Sequence, residues 1–286
     1  MTAAASALGY TPSAVSQQVA RLEREASQSL VERKGRRATL TLAGRIVAES
    51  ANRIVVELEA MDAELQAQTK TVTGVLRVAA FATAARGLLP AAMRNLAQKW
   101  PALSVKCVEM DSHNAMRLVG RGTADLAVVH DWLGMPISLS EGLESRLLGV
   151  DVSDVIVHAN HRLVGTDPVD FIDLEQDMWL YEQGSVAHDF LLKVFQDNPI
   201  PGRFTHMISE YATQIEMVGS GLGIALVPRM GRGVLPSSVR ALIVQPSPER
   251  RIYGVWRTAT ARRPALVAAL DVLKTTCASL ETNASP

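Results

Sequence analysis

The sequence predicts an N-terminal all-α winged helix-turn-helix plus a long linker helix, followed by a two-lobed α/β domain. Three observations lead there. A polar helix start at residues 11–13 is followed by a tight basic turn at 33–37. One apolar seam runs from 47 to 65 without a proline. From residue 75 onward, strand-like and helix-like segments alternate.

The first segment is Thr11-Pro-Ser-Ala-Val-Ser-Gln-Gln-Val-Ala-Arg-Leu-Glu23. Thr11 is a helix cap and Pro12 suits the first turn. Ser13, Ser16 and Gln17 are short donors and acceptors able to reach base edges in a major groove. The second segment places Arg33, Lys34, Arg36 and Arg37 around Gly35, a turn suited to phosphates or a narrow minor groove. Residues 20–45 hold seven basic and three acidic side chains, a local excess of four positive charges in a chain whose net charge is zero. A polar reading helix beside a basic hairpin predicts binding to double-stranded DNA.

With 286 residues and 48% hydrophobic content, the chain is long enough for two or three domains with a large core. No stretch reaches the roughly 18 uncharged apolar residues of a membrane helix. The start lacks a basic residue followed by an apolar run, so no secretion signal is expected and a cytoplasmic location is. Cys107, in a strand-like stretch with Val105, and Cys277, on a stripe with Leu266, Leu270 and Leu273, are both read as buried thiols.

The seam Val47, Ala51, Ile54, Leu58, Met61 and Leu65 alternates spacings of four and three, as a coiled coil requires. Glu49, Glu57, Glu59 and Glu64 fall off it. A homodimer or homotetramer follows, which would set two reading heads on a two-fold-related site.

Beyond a polar hinge at 70–74, strands are expected at 75–81, 104–109 and 125–130, with helices at 87–99 and 114–119. A long extended stretch at 144–158 can leave one sheet for another. Strands at 177–182, 203–208, 223–227 and 239–244 and helices at 186–197 and 211–218 make a second α/β unit. A strand at 251–257 could cross back, and a closing helix runs over 264–280. Two lobes joined by crossing strands leave a cleft, and ligands bind beyond the carboxyl ends of strands. That rule selects Thr83 and Ala84 at a helix start, an anion seat, then His130, Ser185, Glu210 and Thr213 as effector-binding candidates. Met110, Asp111, Asp131, Glu182, Gln183, Ser209 and Tyr211 lie at the same strand ends. Their polarity points to a small acid or another polar metabolite.

Other motifs fail. Gly219-x-Gly-x-Gly223 follows a helix and precedes a strand, the reverse of a dinucleotide loop. There is no Gly-x-Ser-x-Gly elbow and no phosphate loop. His158 and His161 have no carboxylate or cysteine cluster to complete a metal site. No acid–base pair or activated nucleophile can be placed. Neither an enzyme nor a cofactor or metal is expected.

The reading segments and the wing exit Leu40-Thr-Leu-Ala-Gly44 resemble the LysR-type transcriptional regulators. So do Gly122-Thr-Ala-Asp-Leu-Ala-Val, Gly219-Ser-Gly-Leu-Gly-Ile-Ala-Leu-Val-Pro228, and the His161 segment before Asp173-Leu174. The resemblance implies a winged helix-turn-helix over 1–40, a dimerising linker helix over 41–70 and an effector-binding domain over 71–286. That last domain is similar to periplasmic binding proteins, with lobe I at 74–148 and 258–286 and lobe II at 149–257. It implies DNA binding modulated by a small molecule in the cleft. Family members carry a further helix before the point where this chain begins, so a start further upstream is expected. Ser27 stands where the family has glycine. The alternatives are a ligand-sensing dimer with impaired DNA binding and a cytoplasmic solute-binding protein.

Overall fold

The computed structural model describes residues 4–5, 9–34, 37–132, 136–197 and 202–283. The chain divides into two compact units, Met1–Asp62 and Ala63–Pro286.

In the first unit, helix α1 (Pro12–Ala26) begins under Thr11, whose Oγ1 accepts the Ala14 amide at 3.2 Å. It ends at Ser27, a left-handed residue (φ 50, ψ 32) whose amide donates to the Arg24 carbonyl. The chain returns as an antiparallel hairpin, β1 (Val31–Lys34) and β2 (Arg37–Leu40), with Val31 opposite Leu40. Glu23 fastens helix to hairpin: its Oε1 accepts the Leu30 amide at 2.8 Å and the Val31 amide at 3.1 Å. Those two bonds, Leu30 first, hold its carboxyl below the usual carboxylate range.

Helix α2 (Leu42–Thr69) is 28 residues long, about 42 Å. Thr41 starts it: its Oγ1 accepts the Gly44 amide at 3.0 Å and donates to the Ser29 carbonyl at 2.7 Å. Gly44 is buried, and a Cβ there would fall on the carbonyl oxygen of Leu30. That close approach gives the Leu-Thr-x-Ala-Gly pattern a physical reason. Along the seam, Val47 is half-buried, while Ala51, Ile54, Leu58, Met61 and Leu65 are exposed. Leu65 keeps 60% of its surface in solvent.

The second unit is built on one sheet that bends through two lobes. Strands β3 (Gly74–Ala80), β4 (Leu103–Glu109) and β5 (Leu126–Trp132) pair in parallel, with β3 in the middle. Helices α3 (Ala82–Gly87), α4 (Leu89–Lys99) and α5 (Ser112–Gly120) connect them. Parallel strands covered on both faces alternate between two cores. Leu76, Val78, Leu126 and Val128 join one apolar cluster, and Ala79, Ala127 and Val129 join the other.

The long strand β6 (Leu143–His158) carries the chain into the second lobe. Its first part, Leu143 to Val152, pairs with β13 (Glu249–Arg257). From Ser153 it pairs instead with β10 (Ala225–Pro228) and β11 (Val239–Leu242). The second lobe adds the short parallel pair β7 (Val169–Asp170) and β12 (Val244–Gln245), and the parallel pair β8 (Met178–Tyr181) and β9 (Arg203–Met207). Helices α6 (Val186–Asp197) and α7 (Tyr211–Gly219) cover it. Its core is aromatic: Trp132, Phe171, Trp179, Phe190 and Phe195. The closing helix α8 (Pro264–Asn283) packs Leu266, Leu270, Leu273 and Cys277 into the first lobe. No helix among the described residues is long and apolar enough to cross a membrane.

Three expectations change. The helix expected at 87–99 is two helices, α3 and α4, which meet at Leu88 just before Pro90. The strand expected at 239–244 splits at Ile243, whose amide donates to Asp167 and whose carbonyl accepts from Val169. Cys107 is exposed rather than buried, because β4 is an edge strand whose residues beyond Leu103 are at most half-buried.

Gly44→Ala is expected to loosen the junction of hairpin and linker helix by about 1–3 kcal/mol. Ser27→Gly should stabilise the same unit by about 1 kcal/mol, by relieving a left-handed non-glycine residue. Urea unfolding of the first unit's transition reads both, and a Ser27→Gly variant less stable than the parent would refute the strain.

Candidate functional site

Two surfaces need a functional account, one in each unit. In the first, α1 has no buried residue. Thr11, Pro12, Ser13 and Gln17 are exposed and Ser16 is half-buried. The Thr11 and Ser13 hydroxyls lie 3.0 Å apart, a pair of groups at the very start of the helix. Arg33 and Lys34 lie on β1 and Arg37 on β2. Arg36 and Gly35 fall outside the described residues. A helix offering small hydroxyls and an amide, next to a hairpin rich in cations, has the chemistry to meet base edges and phosphates separately.

In the second unit, the expected cleft residues are found near the point where β6 leaves β13 for β10. Arg250, on β13 opposite Asp151, lies beside that crossing. Only 1% of its side chain is exposed. Its Nε donates to Asp151 Oδ2 at 2.8 Å and its Nη2 to Thr83 Oγ1 at 2.6 Å, and its guanidinium lies 5.0 Å from the Phe81 ring centroid. Asp151 also accepts the Met230 amide at 2.9 Å. His130 stands edge-on to Phe81, ring centroids 4.5 Å apart, and its amide donates to Ser112 Oγ. Its Nδ1 is buried with no hydrogen-bond partner among the described residues. Burial first, and then the charge of Arg250, holds the imidazole well below its ordinary pKa, so it is neutral. Of the residues expected in the cleft, Thr83 and His130 therefore gather around one buried arginine, while Ala84 is fully buried.

Ser185, Glu210 and Thr213 play a different part. Ser185 Oγ accepts the His188 amide at 3.1 Å and so caps α6. Glu210 caps α7, accepting the Ala212 and Thr213 amides and the Thr213 hydroxyl. It also pairs with Arg86 Nη2, on α3 of the first lobe, at 3.0 Å. Burial works to raise its pKa. The hydrogen bonds from Arg86 and Thr213 outweigh it and bring the carboxyl to about 2. The lobes touch closely here: a Cβ on Gly231, itself at φ +71, would stand 2.6 Å from the Thr83 carbonyl oxygen.

Two carboxylates at strand ends remain. Asp111 caps α5 and accepts the Asn114 amide at 2.9 Å. The Glu182 carboxylate, just after β8, has no hydrogen bond or ion pair among the described residues. Burial, and then the charge of Asp111, holds it above the usual range. His161 and His158 bond within the fold, to Asp177 at 3.1 Å and to the Asn160 amide. The Gly219–Gly223 run leads from α7 toward β10, helix before strand.

Arg250, Asp151 and Arg86 are not among the residues that the sequence singles out. A signal for Arg250 is present there: it shares strand phase with Ile252, Gly254 and Trp256, an arginine on an otherwise apolar face.

The family described as "LysR substrate binding domain" matches residues 69–278, and "Bacterial regulatory helix-turn-helix protein, lysR family" matches 1–45. The HTH-type transcriptional regulator ShiR of Corynebacterium glutamicum is 29% identical over 280 residues, covering 95% of this chain and 93% of that one. A probable hydrogen peroxide-inducible genes activator of Streptomyces viridosporus is 27% identical, covering 91% and 83%. The fold is similar to that of full-length OxyR from Pseudomonas aeruginosa, with a TM-score of 0.73 and 22% identity over 95% of this chain and 88% of that one.

Arg250→Met leaves Asp151 buried without its cation and is expected to cost about 3–5 kcal/mol, measured by thermal unfolding. Glu210 has a lowered folded-state pKa, so its contribution is present above the ordinary carboxylate range and is lost as pH falls toward about 2. A carbon-detected NMR titration should place its midpoint there. A midpoint near the ordinary value of about 4.3 would mean the pair with Arg86 does not form in solution.

Proposed function

We propose, from the premise that this chain belongs to the LysR-type family of transcriptional regulators, that its hold on specific DNA follows the occupancy of the cleft between its lobes. As a member it is a regulator with a helix-turn-helix and an effector-binding domain, and not an enzyme. The observation that carries the finer reading is the exposed polar start of α1 beside a cation-rich hairpin in one compact unit. Thr11, Pro12, Ser13, Ser16 and Gln17 meet the major groove. Arg33, Lys34, Arg36 and Arg37 hold phosphates and the flanking minor groove.

The exposed seam of α2 supports a homodimer or a homotetramer in the cytoplasm, with Val47, Ala51, Ile54, Leu58, Met61 and Leu65 in the contact. Thr83, Ala84 and His130 form the floor of the effector site, and Ser185, Glu210 and Thr213 its far wall. A ligand that prefers one degree of lobe closure shifts the population toward it, and DNA affinity changes by the same coupling.

One relative is named for peroxide-inducible genes. A peroxide-sensing thiol needs a lowered pKa and access. Here burial, and then Glu109, hold the Cys107 thiol above its ordinary value, and Cys277 is fully buried. The effector of this chain is read as a small polar molecule bound in the cleft rather than an oxidant.

Titration of the protein with labelled DNA from upstream of its own gene, at two salt concentrations, tests the reading. Arg36→Ala should weaken binding to every sequence and flatten the salt dependence by about one phosphate contact. Gln17→Ala should cost about 1–3 kcal/mol on the specific site alone. Equal losses on specific and random DNA for Gln17→Ala would remove it from the reading face.

A further inference from the structure

The second unit holds a further cavity, which none of Thr83, His130, Glu210 and Arg250 lines. The end of α2, the hinge after it, the end of α4 and one face of α8 surround a space of about 580 Å³. That is the size of a small-molecule site. Its floor is apolar. Val72 and Trp100 pack half-buried on the first-lobe core, and Val272 belongs to that core. Val267 adds a side chain that keeps 42% of its surface in solvent, although its neighbours Leu266 and Ala268 are buried. Covering such a floor with apolar atoms is favourable.

The charge around the floor is one-sided. Lys70, Lys99 and Arg262 line the cavity against a single carboxylate, Asp271. Asp271 is already engaged, since Arg146 Nη1 donates to its Oδ1 at 2.8 Å. Arg262 meets Glu64 only at 3.8 Å, beyond hydrogen-bond reach. Lys70 and Lys99 have no ion pair among the described residues, and the Lys99 ammonium stands 6.0 Å from the Trp100 ring centroid. Lys70 holds a left-handed turn (φ 50) at the close of α2, where glycine would sit without strain but would bring no charge. Lysines in open water attract an anion weakly. An anion whose body lies on the apolar floor is partly withdrawn from water, and the same cations then act on it more strongly.

We propose that this cavity binds an amphipathic acid, its carboxylate held by Lys70 and Lys99 and its alkyl body laid on Trp100, Val267 and Val272. A neutral hydrocarbon would leave the cations unused. A compact polar anion would leave the floor uncovered, and an amine would meet three like charges. The site does not depend on the cleft, so a ligand in each can be held at once.

The test is calorimetric titration of this chain with octanoate, 1-octanol and octylamine, which share one carbon frame and differ in charge. Octanoate is expected to bind saturably and about tenfold more tightly than octanol, with octylamine weakest. Lys70→Gln and Lys99→Gln should each weaken octanoate severalfold and leave octanol unchanged. Val267→Glu, at an exposed position, should abolish octanoate binding without lowering the Tm of the free protein. Octanoate binding that survives Val267→Glu lies elsewhere and overturns the proposal. Octanol binding as tight as that of octanoate, with both lysine variants silent, overturns the choice of an acid. Absence of octanoate binding overturns the site itself, and a sedimentation coefficient lowered by Val267→Glu would then show that a second copy of this chain covers the groove. The DNA titration and the cleft reading stand or fall separately from each of these results.

Discussion

The second unit depends on what happens where β6 changes partners. Between Val152 and Ser153 the strand leaves β13 and takes up β10. A crossing strand offers little side-chain packing of its own, and here the gap is closed by charge. Asp151 holds Arg250 on one side of the crossing, and Asp154, 2% exposed, holds Arg229 and Arg232 on the other. Buried acid–arginine pairs add little net stability against an apolar alternative, but they demand one geometry. Arg250 reaches on to Thr83, and Asp151 to the Met230 amide, so one ion pair fixes strand, helix start and the turn after β10 together. The proposed effector site is therefore built around the element that must bend.

The first unit uses backbone contacts for the same purpose. Glu23 ties α1 to the hairpin by two amide bonds, and Gly44 lets α2 begin against the Leu30 carbonyl. Helix α1 and hairpin thus hold a set relation although the unit buries few large side chains. Precision in base reading requires that rigidity more than it requires stability.

Much of this is legible in the residues. Thr11 and Pro12 mark the start of α1, the four-three spacing marks α2, and apolar alternation marks both lobes, because each is a local or periodic signal. What the sequence hides depends on partners far along the chain. Arg250 and Asp151 are 99 residues apart, and neither has a motif around it. Glu210 stands beyond a strand as expected and caps its own helix, but its partnership with Arg86 comes from the opposing lobe. Cys107 is exposed against expectation, since strand phase says which face a side chain takes, not whether a helix covers that face. Ser27 is the reverse: its left-handed turn forms despite the missing glycine, since the Arg24 and Glu23 carbonyls both find donors there.

The approach of Gly231 to the Thr83 carbonyl has a mechanical meaning. Where two main chains already touch, no rotamer can give way, and further compression meets the steep van der Waals repulsion between backbone atoms rather than soft side-chain packing. In the proposed closing motion, that contact would act as an end stop. A hinge that runs freely and then meets a hard limit delivers the same final angle for every ligand strong enough to reach it. Differences among ligands then appear in how often the limit is reached, and the output behaves as a switch with a fixed throw rather than a dial.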